Sequence, residues 1–552
     1  MTTRPQSPRP LVLESLIETP STDVLIIGGG INGLSTLREL ALAGVRATLV
    51  ERGDFASGAS AGSSHMIHGG IRYLENGEVR LVKESLQERN RLLDNAPHYV
   101  KPLGTTIPIF STFSGLLSAP LRLITHRSSS TKERGALLIK VGLVLYDLFG
   151  RKKGTLPRHE FHGARKTLRH YPQMNPDVAY TAHYSDACVE QPERLAIDVL
   201  RDALSAGDHI RAVNYMEAVG HHDGAVQLRD TISGREFSLQ AGLIINATGP
   251  WVDRTNEALG IASSYMGGNK GSHIVVDNQE LFDACKGREV FFENDDGRIV
   301  LILPILGRVL IGTTDIPVAH PDEAECTEEE IDYFIELTAH VFPGIPVDRS
   351  QIVYRYTGVR PLPAAGDLTP GVVSRDYRIV KDSAGETEVL SLVGGKWTTF
   401  RALGEHLAAT ARELMNVSAG PSTENMAIGG GKNFPRTNSA RRQFLDQHRG
   451  SIAHERAEVL LDRYGTVCTD ILAELNRHGD DPLTALPSYS RQEIEWLVQH
   501  EWVETLSDLV KRRTPLAFSG QAPESVTKEL AAVVGALRGW SAAAQKKQVA
   551  SI

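Results

Sequence analysis

At 552 residues the chain is longer than one hydrophobic core organises, and length alone predicts about three to four domain-sized units. A hydrophobic share of 41% with 23% charged residues is that of a globular protein and argues against a disordered or fibrous one. The formal net charge of -8 argues against nucleic acid as the main partner, because no overall field attracts a polyanion.

Residues 1–20 are rich in Pro, Arg, Ser and Thr and lack an apolar h-region, so a disordered N-terminus without a signal peptide is expected. Next comes Asp23-Val-Leu-Ile-Ile-Gly28, a β-branched and aliphatic run that predicts a buried strand. Gly28-Gly-Gly30-Ile-Asn32-Gly33 follows, in the Gly-x-Gly-x-x-Gly pattern, with a helix predicted over 34–44. Arg46-Ala-Thr-Leu-Val-Glu51 reads as a second strand ending in an acid. In a dinucleotide site Gly28 permits the tight turn, Gly30 lets a pyrophosphate approach the backbone, and Gly33 allows helix and strand to pack closely. The helix N-terminus offers amides and partial positive charge to the phosphates, and Glu51 stands where a ribose would donate hydrogen bonds.

After Glu51 the chain does not continue as alternating strand and helix. It runs into a small-residue loop, Asp54 to Tyr73, that includes Ser63, Ser64, His65, His68, Gly69, Gly70 and Arg72, suited to lying against a flat cofactor. Between Arg122 and Lys153 there are eight Lys/Arg residues interleaved with apolar ones, a pattern that reads either as a solvated helix or as a segment lying on an anionic membrane. Much later Leu243-Ile-Ile-Asn-Ala247-Thr248-Gly249 and Leu390-Ser-Leu-Val-Gly394-Gly395-Lys396-Trp397-Thr398 each give a strand ending in a glycine turn. A nucleotide-binding fold interrupted by insertions favours FAD over a nicotinamide.

Strands over 287–292 and 298–303, separated by Asn294-Asp-Asp-Gly, predict a hairpin. Gly429-Gly-Gly431 reads as a linker, and beyond it the pattern is helical, with a capping box at Ser490-x-x-Glu493. The four cysteines, Cys188, Cys285, Cys326 and Cys468, are scattered, which argues against a zinc ribbon or disulfide framework, suits a reducing compartment, and predicts no metal site. No uninterrupted apolar run reaches about 18 residues, so a cytoplasmic protein is expected.

The runs Ile26–Gly33, Ile67–Leu74, Lys270–Val276, Ile311–Asp315, Thr357–Leu362, Ser374–Tyr377 and Gly394–Thr399, in this order, resemble the FAD-dependent glycerol-3-phosphate dehydrogenase family, as do Leu460–Gly465 and Glu501–Arg513. The resemblance implies an enzyme that passes a hydride from glycerol 3-phosphate to FAD and the electrons on to quinone or oxygen, peripheral on the inner face of the cell membrane. A homodimer is among the expected assemblies. The implied fold class is α/β (α+β overall): a Rossmann-like FAD-binding domain assembled from 21–95, 190–265 and 355–415, an antiparallel-sheet substrate-capping domain from 96–189 and 266–354, and a C-terminal helical domain from 432–552. The FAD contacts expected are Gly28, Gly30, Asn32, Gly33, Glu51, Ser63, Ser64, His68, Gly69, Gly70, Ala247, Thr248, Gly249, Gly394, Gly395, Lys396, Trp397 and Thr398.

A phosphorylated substrate requires convergent cations. The candidates are Arg360, Arg375 and Lys396, joined by Arg72 and by the hydroxyl of Tyr73, although any single arginine is as readily a surface ion-pair partner. Removal of the alcohol proton points to a histidine: His273 as base or as a core residue, and His68, with flavin contact favoured. Arg360 stabilising an alkoxide is the alternative, while Thr314 and Asp315 read as pocket support. His65 stands where the family commonly has lysine. If it faces the pocket, a larger substrate such as erythritol phosphate enters consideration. An amino-acid or amine oxidase of the same fold, and a flavoprotein without catalysis, remain the competing classes.

Overall fold

The computed structural model describes residues 8–70, 79–110, 143, 144, 146, 156–293, 299–364 and 376–552. Arg72, Tyr73, Arg375, the Asn294–Gly297 turn and nearly all of the basic 122–153 segment lie outside the described residues.

Two sheets and a helical unit make up the described chain. The first sheet runs in the order Arg378–Ala384, Thr387–Val393, Glu236–Asn246, Ser21–Ile27, Ala47–Val50, Ile210–Val213. Along this order the neighbours are parallel except the first pair, and the hairpin of Met216–His222 and Ala225–Asp230 joins Glu236–Asn246 antiparallel. Its central strands are apolar without alternation because both faces are covered: Val24, Leu25 and Ile26 are fully buried. The helices Ile31–Leu42, Pro192–Leu204 and Phe400–Leu414 cover one face through Leu34, Leu37, Leu200, Leu403 and Leu407. On the other, Leu16 packs with Val226 and Leu228 of an antiparallel hairpin. Leu16 belongs to a helix, Pro8–Glu18. The expected disorder of 1–20 is therefore corrected over this stretch: Leu16 is buried, and Arg9 reaches buried Asp230 at 2.8 Å.

The second sheet places Met266–Val276 between Ile352–Pro363 on one side and Arg308–Gly312 with Ile316–Pro317 on the other. It then continues through Ile299–Ile305, Arg288–Glu293, Val100–Ile109 and Tyr180–Val189 to Met66–Ile67. Its pairings are antiparallel with one exception, since Arg288–Val290 runs parallel to Gly104–Thr106. Two expected boundaries move. Ile352–Pro363 pairs along Met266–Val276, His273 opposite Tyr356 and Asn269 opposite Arg360, so 355–363 belongs to the capping sheet. Met66–Ile67 likewise pairs with Ala187–Cys188. Strand pairing satisfies the backbone groups of these buried stretches, which a loop would leave open.

Beyond 432 the chain is helical around its own core, which includes Leu460, Leu472, Leu497 and Leu530. Gly429–Gly431 is a buried turn of 3-10 helix and not a linker: a Cβ on Gly430 would lie 2.1 Å from the Tyr464 carbonyl oxygen. The Ser490 side chain caps the Glu493 amide, but the Glu493 carboxylate pairs with Arg456 and Arg463 instead of closing the box. Among the described residues no helix is long and apolar enough to cross a membrane.

The helix Glu328–Val341, started by a Thr327–Glu330 capping box, covers the capping sheet with fully buried Phe334. Phe334→Ala is expected to cost about 3–5 kcal/mol, read as a lower urea midpoint by circular dichroism. An unchanged midpoint would show that this helix contributes no core.

Candidate active site

At the end of the first strand Gly28 takes φ +113°. A Cβ there would meet the Ala247 carbonyl oxygen at 2.6 Å, and one on Gly33 would meet the Gly28 oxygen at 2.0 Å. These glycines let the first helix, the first strand and the Glu236–Asn246 strand close on each other. Gly30 is less enclosed: a Cβ there would press on Ser60 Oγ at 3.3 Å but would meet no backbone among the described residues. Gly30 also starts the Ile31–Leu42 helix with no side-chain cap, and the Ile31 amide donates to Ser60 Oγ at 3.0 Å. A helix N-terminus whose approach at Gly30 is bounded by one short side chain and no backbone fits a dinucleotide pyrophosphate. Half-buried Glu51 accepts from the amides of Gly29 and Gly53, at 2.7 and 2.8 Å. Burial raises its pKa against the pull of those two amides. The acid expected at a ribose therefore also ties the glycine turn to the loop that follows.

Four separated segments converge on this turn. Gly395, at φ +114°, has no room for a side chain because a Cβ would lie 2.5 Å from Asn32 Nδ2. Trp397 Nε1 donates to the Ser60 carbonyl at 3.0 Å, and the His68 amide donates to Thr398 Oγ1 at 3.2 Å. Gly69 is pinned by Tyr146 and Asp186, which accept its amide, and Arg89 pairs with Asp186 at 2.8 Å. Thr248 Oγ1 donates to Asn246 Oδ1, and Gly249 turns at φ +62°. Lys396 lies close enough to Glu84 to oppose the rise that burial gives that carboxyl.

The capping sheet meets this seat at Gly62 and Gly358. A Cβ on Gly62 would lie 2.4 Å from Gly358 Cα, and one on Gly358 would lie 2.4 Å from the Gly62 oxygen. The Tyr356 hydroxyl donates to the Ser63 carbonyl at 2.8 Å. His273 stacks on Tyr356, with ring centroids 4.8 Å apart, and shares a 2.8 Å hydrogen bond between Nε2 and Ser64 Oγ. The ring lies flat against Gly312, where a Cβ would come within 2.2 Å of it. Among the described residues its Nδ1 has no hydrogen-bond partner. Burial, with Arg360 and His65 adding to it, lowers the His273 pKa well below the ordinary histidine value.

Arg360 Nη1 reaches Asp315 at 2.9 Å and the Lys270 carbonyl at 3.1 Å; Nη2 reaches the Thr314 carbonyl at 2.9 Å and Thr313 Oγ1 at 3.1 Å. Asp315, read as pocket support, orients the guanidinium, and Asn269 Nδ2 donates to it at 2.6 Å. Its side chain is 23% exposed, and these four acceptors hold the guanidinium in place.

His65 is buried, shares a 3.0 Å hydrogen bond between Nδ1 and the Val189 carbonyl, and packs on Phe518. Burial drives its pKa to about 4. The residue that departs from the family pattern thus ties the loop to the C-terminal domain, and it lines a cavity there with Gly62, Tyr356 and Arg512.

Sequence reasoning missed Tyr356, Ser60, and the Arg89–Asp186–Tyr146 group behind Gly69. Tyr356 carries a signal, since the period of two puts it on the same strand face as Gly358 and Arg360. Arg89 and Asp186 are joined only by the fold.

Gly30→Val places a branched side chain beside Ser60 Oγ, where a pyrophosphate would sit. The purified variant is expected to keep its circular dichroism and fail to bind FAD in titration; binding with parental affinity would relocate the cofactor.

Comparison with known proteins agrees with this architecture. Residues 23–410 match the family of FAD dependent oxidoreductases, and residues 421–545 match the C-terminal domain of alpha-glycerophosphate oxidase. The chain is 34% identical over 526 residues to a glycerol-3-phosphate dehydrogenase of Synechocystis, covering 91% of this chain and 90% of that one. It is 31% identical over 522 residues to a D-erythritol 1-phosphate dehydrogenase of Brucella abortus, covering 90% and 95%. Its fold matches the structure of the glycerol-3-phosphate dehydrogenase from Bacillus halodurans complexed with FAD, with a TM-score of 0.73, 22% identity, and coverage of 98% and 95%. The matches of residues 23–410 and 421–545, with the 34% identical relative over nine-tenths of the chain, place it in the FAD-dependent glycerol-3-phosphate dehydrogenase family of oxidoreductases.

Proposed function

We propose that the chain oxidises sn-glycerol 3-phosphate to dihydroxyacetone phosphate. The observation that carries this reading is the placement of Arg360 and His273 on the strand pair that touches the Gly62–Ser64 loop. FAD, when bound, supplies the acceptor for the hydride. Gly28, Gly30, Asn32, Gly33, Glu51, Ala247, Thr248, Gly249, Gly394, Gly395, Trp397 and Thr398 would hold it, with Ser63, Ser64 and His68 to Gly70 on its other side.

Arg360, oriented by Asp315, binds the phosphoester or the developing alkoxide, and Lys396 adds a second cation. Arg72, Tyr73 and Arg375, outside the described residues, complete the expected phosphate site. His273 takes the alcohol proton. Its depressed pKa keeps it neutral at pH 7, and Ser64 and Tyr356 fix its ring. Electrons then leave to a quinone or to oxygen. The 122–153 segment, whose eight cations favour an anionic surface, is the expected membrane contact. D-erythritol 1-phosphate is the second substrate reading, favoured by the Brucella relative.

Anaerobic addition of glycerol 3-phosphate is expected to bleach the bound flavin, with erythritol phosphate weaker and amino acids inert. A flavin that stays oxidised with every polyol phosphate would overturn the proposal. Arg360→Ala is expected to lower kcat/KM by about 10²–10³ while FAD stays bound; loss of the flavin would place Arg360 at the cofactor instead. His273→Gln is expected to lower kcat by about 10²–10⁴. Because a base must be neutral to accept a proton and the His273 pKa is depressed, parental kcat/KM should stay flat as pH falls through the ordinary histidine range near 6.5. It should then drop with a single-proton limb at lower pH. A limb at or above that range would exclude His273 as the base.

A further inference from the structure

The C-terminal run Glu501–Arg513 takes no part in the chemistry above, yet many of its side chains point into the FAD-binding domain. Glu501 pairs with buried Arg194, and Trp502 meets Phe55 edge-on at 5.9 Å between centroids. Asp508 accepts the Tyr215 hydroxyl at 2.6 Å and Arg512 Nη2 at 2.6 Å. Arg513 grips Asp54 with both terminal nitrogens, at 2.7 and 2.8 Å, and its Nε donates to the Glu501 carbonyl at 2.7 Å. Arg512 Nε adds a third donor to Asp54 at 2.5 Å, and Asn214 Nδ2 a fourth at 3.0 Å. Both arginines lie in a turn of π-helix, Leu509–Arg513, a distortion frequently found at functional positions.

Asp54 is the first residue of the loop packed on the glycine turn. Its neighbour Phe55 is fully buried against Gly29, where a Cβ would come within 2.7 Å of the ring, and the Ala56 amide donates to the Gly29 carbonyl at 2.9 Å. The side chain of Asp54 is itself fully buried. Burial alone would raise its carboxyl, but Arg513 and Arg512 outweigh that and hold it down to about 2. Its charge is therefore present throughout the working range; removing Asp54 leaves Arg513 a buried charge without its carboxylate, and removing Arg513 leaves Asp54 with Arg512 as its one cation.

We infer that Arg512 and Arg513 are cofactor-positioning residues: through Asp54, Phe55 and Ala56 they hold the Gly29–Gly30 backbone in the shape that receives the FAD pyrophosphate. The C-terminal domain thereby sets how tightly the first domain retains FAD. The inference rests on FAD binding and not on the identity of the substrate.

The test uses full-length Arg513→Met and Asp54→Asn, with Arg456→Met as control. Arg456 pairs with Asp480 and Glu493 inside the C-terminal domain, so its loss destabilises that domain without touching the Asp54 contact. FAD affinity is titrated into each apoprotein by flavin fluorescence, and kcat and KM for glycerol 3-phosphate are taken at saturating FAD. Arg513→Met and Asp54→Asn are expected to raise the Kd for FAD at least tenfold, with kcat restored by excess FAD and KM within twofold of the parent. Arg456→Met should lower Tm and leave that Kd within twofold. Parental Kd in both site variants, or an equal rise in the control, would overturn the proposal. Should Arg513→Met fail to fold, Asp54→Asn decides, since asparagine keeps the shape and one acceptor oxygen. Because the Kd for FAD is read without substrate, failure of the substrate assignment leaves this outcome untouched.

Discussion

Gly62 and Gly358 bring two backbones together with no space for a side chain on either, and the geometry of the site follows from that contact. One backbone belongs to the loop leaving the dinucleotide turn, the other to a strand of the capping sheet. Tyr356 and Arg360 lie two residues to either side of Gly358, and His273 faces Tyr356 across the strand pair. With strand residues about 3.3 Å apart along the chain, the meeting point of the glycines fixes how far Arg360 and His273 stand from the cofactor seat. The surrounding glycines serve the same end: Gly271 leaves room for the Arg360 guanidinium and Gly312 for the His273 ring.

The electrostatics divide the work by position. Buried ion pairs such as Arg194 with Glu501 and Arg401 with Glu88 join helices of different segments. Such pairs add little net stability over apolar packing, but they are costly to break and so specify one arrangement. At the site, the Asp315–Arg360 pair is partly exposed. His273, in contrast, is kept uncharged by burial and by the cation beside it, so the cluster offers one fixed positive charge and one group able to accept a proton.

Much of this architecture was legible in the chain. The Gly28–Gly33 turn, the strands ending at Gly249 and Gly394, and the capping-sheet run at Lys270–Val276 are local patterns whose spacing follows from strand and helix geometry. The pairing of Ile352–Pro363 with the capping sheet was not legible, because a strand's sheet depends on the partner it finds and not on its own pattern. The ordered Pro8–Glu18 helix escaped for a related reason: its composition reads as disorder, while its order comes from contacts such as Arg9 with Asp230, more than two hundred residues away along the chain. Glycine reading also overreached at Gly429–Gly431, where the same residue type permits close packing instead of flexibility. His65 was visible as a departure from the family pattern, but only the fold shows it turned to Val189 and Phe518.

The claim at the centre of this account is that backbone contact between the two sheets places the reacting groups beside FAD. Anaerobic stopped-flow reduction of FAD-loaded Gly358→Ala by glycerol 3-phosphate tests it most directly. The account predicts parental FAD affinity with a flavin reduction rate at least a hundredfold slower, because the added methyl pushes the strand carrying Arg360 away from Gly62. Reduction at the parental rate would contradict it.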